Sequence, residues 1–223
     1  MKQEEFVKYI DHSLLKPELT RTDYIEGLNY AKALGVASVC INPHRLDLAR
    51  EILADSDVVI GTVIGFPSGA HTTRSKVFEA IEAYANGARE LDMVIDVGAL
   101  KDGNYDRVRE DIKSVVEATP ACVKVILENA YLTDEEIAKG SELVEEAGAD
   151  FVKTSTGFAA SGSKVEDLKI MRQSVSDKVK VKAAGGLSTY EDCLAAIEAG
   201  ADRVGISRTK KILEQMNSSN SCK

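Results

Sequence analysis

The chain has 223 residues, 44% of them apolar and 29% charged, enough for one substantial core or two small ones. Its net charge of −8 speaks against a nucleic-acid or anionic-membrane binder, while leaving room for a locally positive pocket that takes a small anion. No run reaches the length of a membrane span, "MKQEEFVKYID" lacks the apolar centre of a signal peptide, and Cys40, Cys122, Cys193 and Cys222 form no Cys-x-x-Cys pair, so free thiols and a cytoplasmic location are expected.

The first candidate strand is a short segment around Asp11, which either caps that segment or orients a proton relay. "ALGVASVCI" (33–41) reads as a helix end, a glycine and a strand ending near Cys40. Cys40 reads as a small core residue or as one that lines a pocket. "DVVIGTVIGF" (57–66) is a buried strand, and the helix after it carries an apolar stripe of Val77, Ile81 and Tyr84. "ANGARELDMVI" (85–95) repeats the pattern of helix end, glycine and strand. There Asp92 and Asp96 share one face, and Leu91, Met93 and Ile95 the other; Asp96, at the strand end, reads as a helix cap.

Val108, Ile112, Val115 and Val116 mark the next helix, and "CVKVILE" (122–128) the next strand. In it Lys124 and Glu128 share a face. Lys124 is either an ion-pair partner of Asp92 or Glu128, or a member of the relay. Thr133 and Glu136 form a capping box. "EAGADFVK" (146–153) ends on Lys153, followed by the small residues Thr154, Ser155, Thr156 and Gly157. "KVKVKAA" (178–184) carries Lys180 near its start, as a solvated rim residue, and Lys182 near its end. Ser188 and Glu191 read as a second capping box. "EAGADRVG" (198–205) leads into "VGISRT" (204–209), and residues from about 216 to 223 read as a flexible tail.

The helix-end glycines Gly35, Gly87, Gly148 and Gly200 lie about two βα units apart. Strict alternation of strands and helices implies parallel strands with right-handed crossovers. The expected fold is therefore α/β, a parallel (β/α)8 barrel of the TIM type in a single domain over 1–223, with an open doubly wound sheet as the alternative. Strands covered on both sides should be almost wholly apolar. The charges on alternate residues therefore face the barrel interior, and those at the C-terminal strand ends lie where barrel active sites form.

A lysine attacks a carbonyl only as the free amine, which near neutral pH is a few parts in ten thousand of an ordinary lysine, roughly. Bringing its pKa to neutrality takes roughly 4–5 kcal/mol of preference for the neutral form. Burial and a nearby second cation both supply it, and a Lys153–Lys182 pair offers both. Such an amine forms a Schiff base with an aldehyde or ketone, and Asp92 is placed to shuttle the proton that carbon–carbon cleavage requires. Neither a cofactor nor a metal is expected: no G-x-G-x-x-G follows a first strand, and His12, His44 and His71 show no paired ligand spacing. For an anion, "AAGGLST" (183–189) offers Gly185 and Gly186 before a helix N-terminus, "VGISRT" adds Gly205, Ser207 and Arg208, and Gly157 closes the same pocket.

"DHSLLKP", "GFPSGAHTTRSKVFEA", "ELDMVIDVGALKDG", "VKVILE", "FVKTSTGF" and "VKAAGGLST" occur in this order between about residues 10 and 209. In these motifs the chain resembles the deoxyribose-phosphate aldolase family. The resemblance implies a βα barrel that cleaves 2-deoxyribose 5-phosphate to glyceraldehyde 3-phosphate and acetaldehyde. It implies Lys153 as the Schiff-base lysine, Lys182 as its perturbing neighbour and Asp92 as part of the relay. It also implies a cytoplasmic enzyme of deoxynucleoside breakdown, commonly a homodimer, with a small sugar phosphate and an aldehyde as its partners. The chain departs from some members in carrying Phe158 in place of a lysine and Ser188 in place of an arginine, with Arg208 as the substitute cation. Three other readings stand beside this one: a Schiff-base enzyme for another short aldehyde or keto-sugar phosphate, a non-catalytic sugar-phosphate sensor on the same barrel, and a metal-dependent isomerase.

Overall fold

The computed structural model describes residues 1–220. Eight strands, β1 (Ile10–Leu14), β2 (Ser38–Ile41), β3 (Val59–Ile64), β4 (Glu90–Val94), β5 (Cys122–Ile126), β6 (Phe151–Lys153), β7 (Lys180–Ala184) and β8 (Arg203–Ile206), pair in chain order, all parallel. β8 pairs back onto β1, with Asp11 opposite Gly205, so the sheet is a closed (β/α)8 barrel and not an open one. Helices α1 (Gln3–Phe6), α2 (Arg21–Leu34), α3 (Leu46–Leu53), α4 (Thr73–Ala85), α5 (Val97–Lys101), α6 (Tyr105–Val116), α7 (Asp134–Glu146), α8 (Val165–Ser174), α9 (Tyr190–Glu198) and α10 (Thr209–Asn220) accompany them. The four helix-end glycines all take positive φ, from 62° at Gly35 to 105° at Gly200, which ends each helix and turns the chain into the next strand.

The main apolar core lies between barrel and helices. It takes Leu91 and Met93 from β4, Val123 and Val125 from β5, Val152 from β6, and Val181 and Ala183 from β7, with Val108, Ile112 and Val115 from α6. Because side chains alternate along a strand, the intervening residues Glu90, Asp92, Lys124, Lys153 and Lys182 are turned to the barrel interior, where all are buried. Closure of the sheet thus converts a period of two in the sequence into a charged interior and an apolar jacket.

Three local expectations are corrected. The centre of the buried face of α4 is Lys76, Ala80 and Ala83; Val77 and Tyr84 pack against the core from its edges, while Ile81 is 50% exposed and Phe78 67%. The reason is a buried ion pair: Lys76 Nζ donates to Asp111 Oδ2 of α6 at 2.6 Å and to the Val94 carbonyl at 2.9 Å, while small alanines let the helix lie close. The capping box at α9 uses Thr189 and Asp192, one residue beyond Ser188 and Glu191. The stretch from 216 to 220, read as tail, continues helix α10, and 221–223 lie outside the described residues.

Lys76→Met would leave Asp111 buried beside an apolar side chain, at a cost of about 3–5 kcal/mol. A urea midpoint that falls accordingly, and recovers in Lys76→Met/Asp111→Leu, is the expected outcome.

Candidate active site

Strand register brings the two lysines together. Lys153, the last residue of β6, is the direct partner of Lys182 in β7, and both side chains turn inward. Asp92 reaches them from β4: Lys153 Nζ lies 2.6 Å and Lys182 Nζ 2.8 Å from the same oxygen, Asp92 Oδ2. Lys182 also lies 2.5 Å from Asp11 Oδ2, contributed by β1. Burial pushes the Lys153 amine below the ordinary lysine value; the Asp92 carboxylate opposes this and the Lys182 charge adds to it. Burial acts on Lys182 as well, but Asp11 and Asp92 outweigh it and hold that ammonium above its ordinary value. Asp92, although buried, is kept below the usual carboxylate range by Lys153, Lys182 and Lys124. The three groups therefore divide into an easily freed amine, a persistent cation and a persistent carboxylate.

Beneath them lies a second layer of charge. Lys124 donates to Asp11 at 2.8 Å and to Glu90, and lies 3.7 Å from Asp92 Oδ1. Arg203, at the start of β8, pairs with Asp11 at 2.5 Å and with Glu90 at 3.4 Å. Asp11 is thus neither a cap nor isolated, since it joins Lys124, Lys182 and Arg203, and Lys124 pairs with Asp92 rather than with Glu128. Asp96 caps α5 through the Ala99 N–H and pairs with Arg107. Glu90 and Arg203 carry no mark of their own in the sequence, because a charge at a strand start resembles the solvated Lys180 until the partner strands are placed.

Above the lysines opens a cavity of about 600 Å³. Lys153 belongs to its wall, as do Gly157, Gly185, Gly186, Gly205, Ser207 and Arg208. The loops after β6 and β7 lie directly on one another: Ser163 N–H donates to the Gly185 carbonyl at 3.0 Å, and a Cβ at Gly162 would sit 2.2 Å from the Gly185 carbonyl carbon. The Ser188 hydroxyl and N–H both turn to Asp192. Positive charge at the mouth comes from Arg208; Lys16, which the sequence did not single out, also lines it but lies 3.6 Å from Glu18 of the same wall. Glu128, the one non-glycine residue with positive φ among those described, accepts the Thr156 N–H and hydroxyl and so fixes the loop beside Gly157. Among the described residues no cluster of three or more His, Cys, Asp or Glu side chains could hold a metal ion.

With this geometry in place, residues 6–213 match the family described as DeoC/LacD family aldolase. The chain belongs to that aldolase family. It is 54% identical over 214 residues to the deoxyribose-phosphate aldolase of Thermoanaerobacter sp., covering 94% of this chain and 96% of that protein. It is 53% identical to the deoxyribose-phosphate aldolase of Staphylococcus carnosus, covering 96% and 98% of the two chains. Among solved structures it is similar to the tetrameric deoxyribose phosphate aldolase of Aeropyrum pernix, with a TM-score of 0.90, 30% identity and coverage of 98% and 93%. It is also similar to an aldolase called QR15, with a TM-score of 0.91, 43% identity and coverage of 96% and 97%. Members of an aldolase family make and break carbon–carbon bonds next to a carbonyl, and an interior amine with a paired acid is a means to that end.

Cys40 sits differently from a reactive pocket thiol. It is 2% exposed, packs with Leu15 and Val63, and directs Sγ to Asp92 Oδ2 at 3.8 Å. Burial and the Asp92 charge push its thiol up to about 12. Iodoacetamide at pH 8 should therefore alkylate Cys40 in the native protein roughly 10³-fold more slowly than in the unfolded chain, as peptide mass spectrometry would report.

Proposed function

We propose that the chain is a class I aldolase that reversibly cleaves 2-deoxy-D-ribose 5-phosphate to D-glyceraldehyde 3-phosphate and acetaldehyde through a Schiff base on Lys153. The observation that carries this reading is the convergence of Lys153 and Lys182 on one oxygen of Asp92 beside a cavity that also holds Arg208. The free Lys153 amine attacks C1 of the open-chain sugar, and the carbinolamine loses water, aided by a proton from Lys182. Asp92 takes the C3 hydroxyl proton, directly or through water, as the C2–C3 bond breaks and its electron pair enters the iminium to give an enamine. Glyceraldehyde 3-phosphate departs, the enamine carbon regains a proton, and hydrolysis returns acetaldehyde and the free amine.

The phosphate belongs in this reading at the other end of the cavity, where Gly157, Gly185, Gly186 and Gly205 leave backbone room and Ser207 and Arg208 add a hydroxyl and a charge. Arg208 takes over from the arginine that some relatives carry in place of Ser188. No helix of the described residues is long and apolar enough to cross a membrane. We read the chain as a single catalytic domain that works in the cytoplasm as a homodimer, and sedimentation equilibrium separates a dimer from a tetramer like that of the Aeropyrum relative.

Incubation with acetaldehyde and borohydride should leave a reduced adduct on Lys153, and Lys153→Ala should lose that adduct and roughly 10³-fold or more in kcat. An adduct confined to Lys182 would reverse the two lysine roles. kcat/KM should rise with pH as Lys153 loses its proton, with a midpoint below the ordinary lysine value, because its pKa is lowered. Removing the neighbouring cation in Lys182→Met moves that midpoint upward.

Arg208→Ala should raise KM for the phosphorylated sugar about tenfold or more and leave that for unphosphorylated deoxyribose nearly unchanged. Equal effects on both would remove Arg208 from the phosphate site.

A further inference from the structure

The barrel interior holds four cations, Lys124, Lys153, Lys182 and Arg203, against three carboxylates, Asp11, Glu90 and Asp92. Lys124 has Asp11, Glu90 and Asp92 around it; Lys182 has Asp11 and Asp92; Arg203 has Asp11 and Glu90. Lys153 has Asp92, and shares the contacted oxygen with Lys182. An unbalanced buried charge is costly, so the proton most readily given up is that of the cation with the poorest share of anion. That cation is Lys153, and its share depends on how the remaining charges pair.

We propose that Glu90 and Arg203, at the end of the barrel remote from the cavity, are positioning residues that set the protonation of Lys153 through Lys124, Asp11 and Asp92. Glu90 occupies Lys124; without it, Lys124 leans on Asp11 and Asp92 and weakens their hold on Lys182 and Lys153. Arg203 occupies Asp11; without it, Asp11 is freed to bind Lys182 and Lys124 more fully, which leaves more of Asp92 to Lys153. The two residues thus act with opposite sign. Loss of Glu90 sets two carboxylates against four cations and favours neutral Lys153. Loss of Arg203 sets three carboxylates against three cations and favours protonated Lys153. Loss of both restores the native excess of one cation.

The other groups facing this interior leave that balance in place: Lys180, two residues before Lys182 on the same face of β7, is exposed at the rim and lies over the Phe151 ring. β2 contributes Cys40, whose thiol stays protonated beside Asp92, and β3 contributes Val63. β5 adds Cys122, whose thiol also stays protonated, and beyond its end Glu128, which is engaged by Thr156. Glu90 follows the same face of β4 as Asp92, two residues away, and its side chain is 7% exposed; Arg203 has a side chain 20% exposed at the rim. At about 10 Å, with the effective dielectric of a protein interior, one unit charge moves a pKa by about one unit.

The proposal rests on the reading of Lys153 as the reactive amine, so its test uses a measurement that needs no turnover. Trace labelling with acetic anhydride across pH, followed by peptide mass spectrometry, reports the Lys153 pKa in the native protein, Glu90→Gln, Arg203→Met and the double variant. The expected result is a downward shift of about one unit in Glu90→Gln, an upward shift of similar size in Arg203→Met, and a value near the native one in the double variant. The acid limb of kcat/KM should follow each shift. Loosening of the barrel alone would move both single variants in the same direction, and that result, or no shift in either, overturns the proposal. If Glu90→Gln does not fold by circular dichroism, the upward shift in Arg203→Met and its cancellation in the double variant decide. Absence of a borohydride adduct on Lys153 in the native protein would instead overturn the aldolase reading and leave the labelling result standing on its own.

Discussion

Asp92 Oδ2 accepts hydrogen bonds from two ammonium groups, and the site is organised around that sharing. A carboxylate can compensate one buried cation well and two poorly. The arrangement therefore holds Lys153 and Lys182 in unequal competition, and Asp11 decides it by adding a second anion to Lys182 alone of the two. At rest one lysine is the more readily a free amine and the other stays an ammonium. Neither lysine has this character by itself, since it follows from three strands, β4, β6 and β7, and is settled by a fourth, β1.

Such an interior is a poor source of stability, because each ion leaves water at a cost that its partners only return in part. The fold can carry it because its apolar burial lies elsewhere, in the layer between strands and helices. The division of labour extends to α4. Its inner face carries Lys76, which holds the Val94 carbonyl at the end of β4, and Glu79, which accepts the Gly65 N–H at 2.7 Å at the end of β3. A helix that packed only by Val77, Ile81 and Tyr84 would cover the sheet but would not tie down those strand ends. The buried pair of Lys76 with Asp111 thereby anchors the strand on which Asp92 stands.

How much of this was legible in the sequence depended on distance along the chain. Alternating charge in "ELDMVID" and "VKVKA" was readable because a strand has a period of two and a barrel has two environments. The helix-end glycines were readable because positive φ selects them. The capping box at α9 was misplaced by one residue because "STYED" offers two aliphatic hydroxyls and two carboxylates in adjacent frames, and only the helix geometry selects Thr189 with Asp192. On α4, Val77 and Tyr84 reach the core as expected, but Lys76 at the centre of the inner face was not legible, because a lysine on a buried face is explained by Asp111, 35 residues later. Glu90 and Arg203 were missed for the same reason: their partners are non-local, and Lys180, at the same place in its own strand, stays exposed.

In the function proposed for this site, the two ends of the cavity obey different physics. The amine end depends on side chains projected from strand interiors, where register fixes distance and a change of residue alters charge balance for every neighbour. The end proposed for the phosphate is made of loops, where the demand is for exposed N–H groups and for some cation within reach. Ser188 illustrates the latitude: its hydroxyl serves Asp192 at the start of α9, so it stabilises the helix, while Arg208 on the following loop supplies charge to the same cavity. A cation can move from one loop to the next because both loops border one space. Asp92 has no such substitute, since among the described residues no other strand presents a carboxylate to both Lys153 and Lys182 at once.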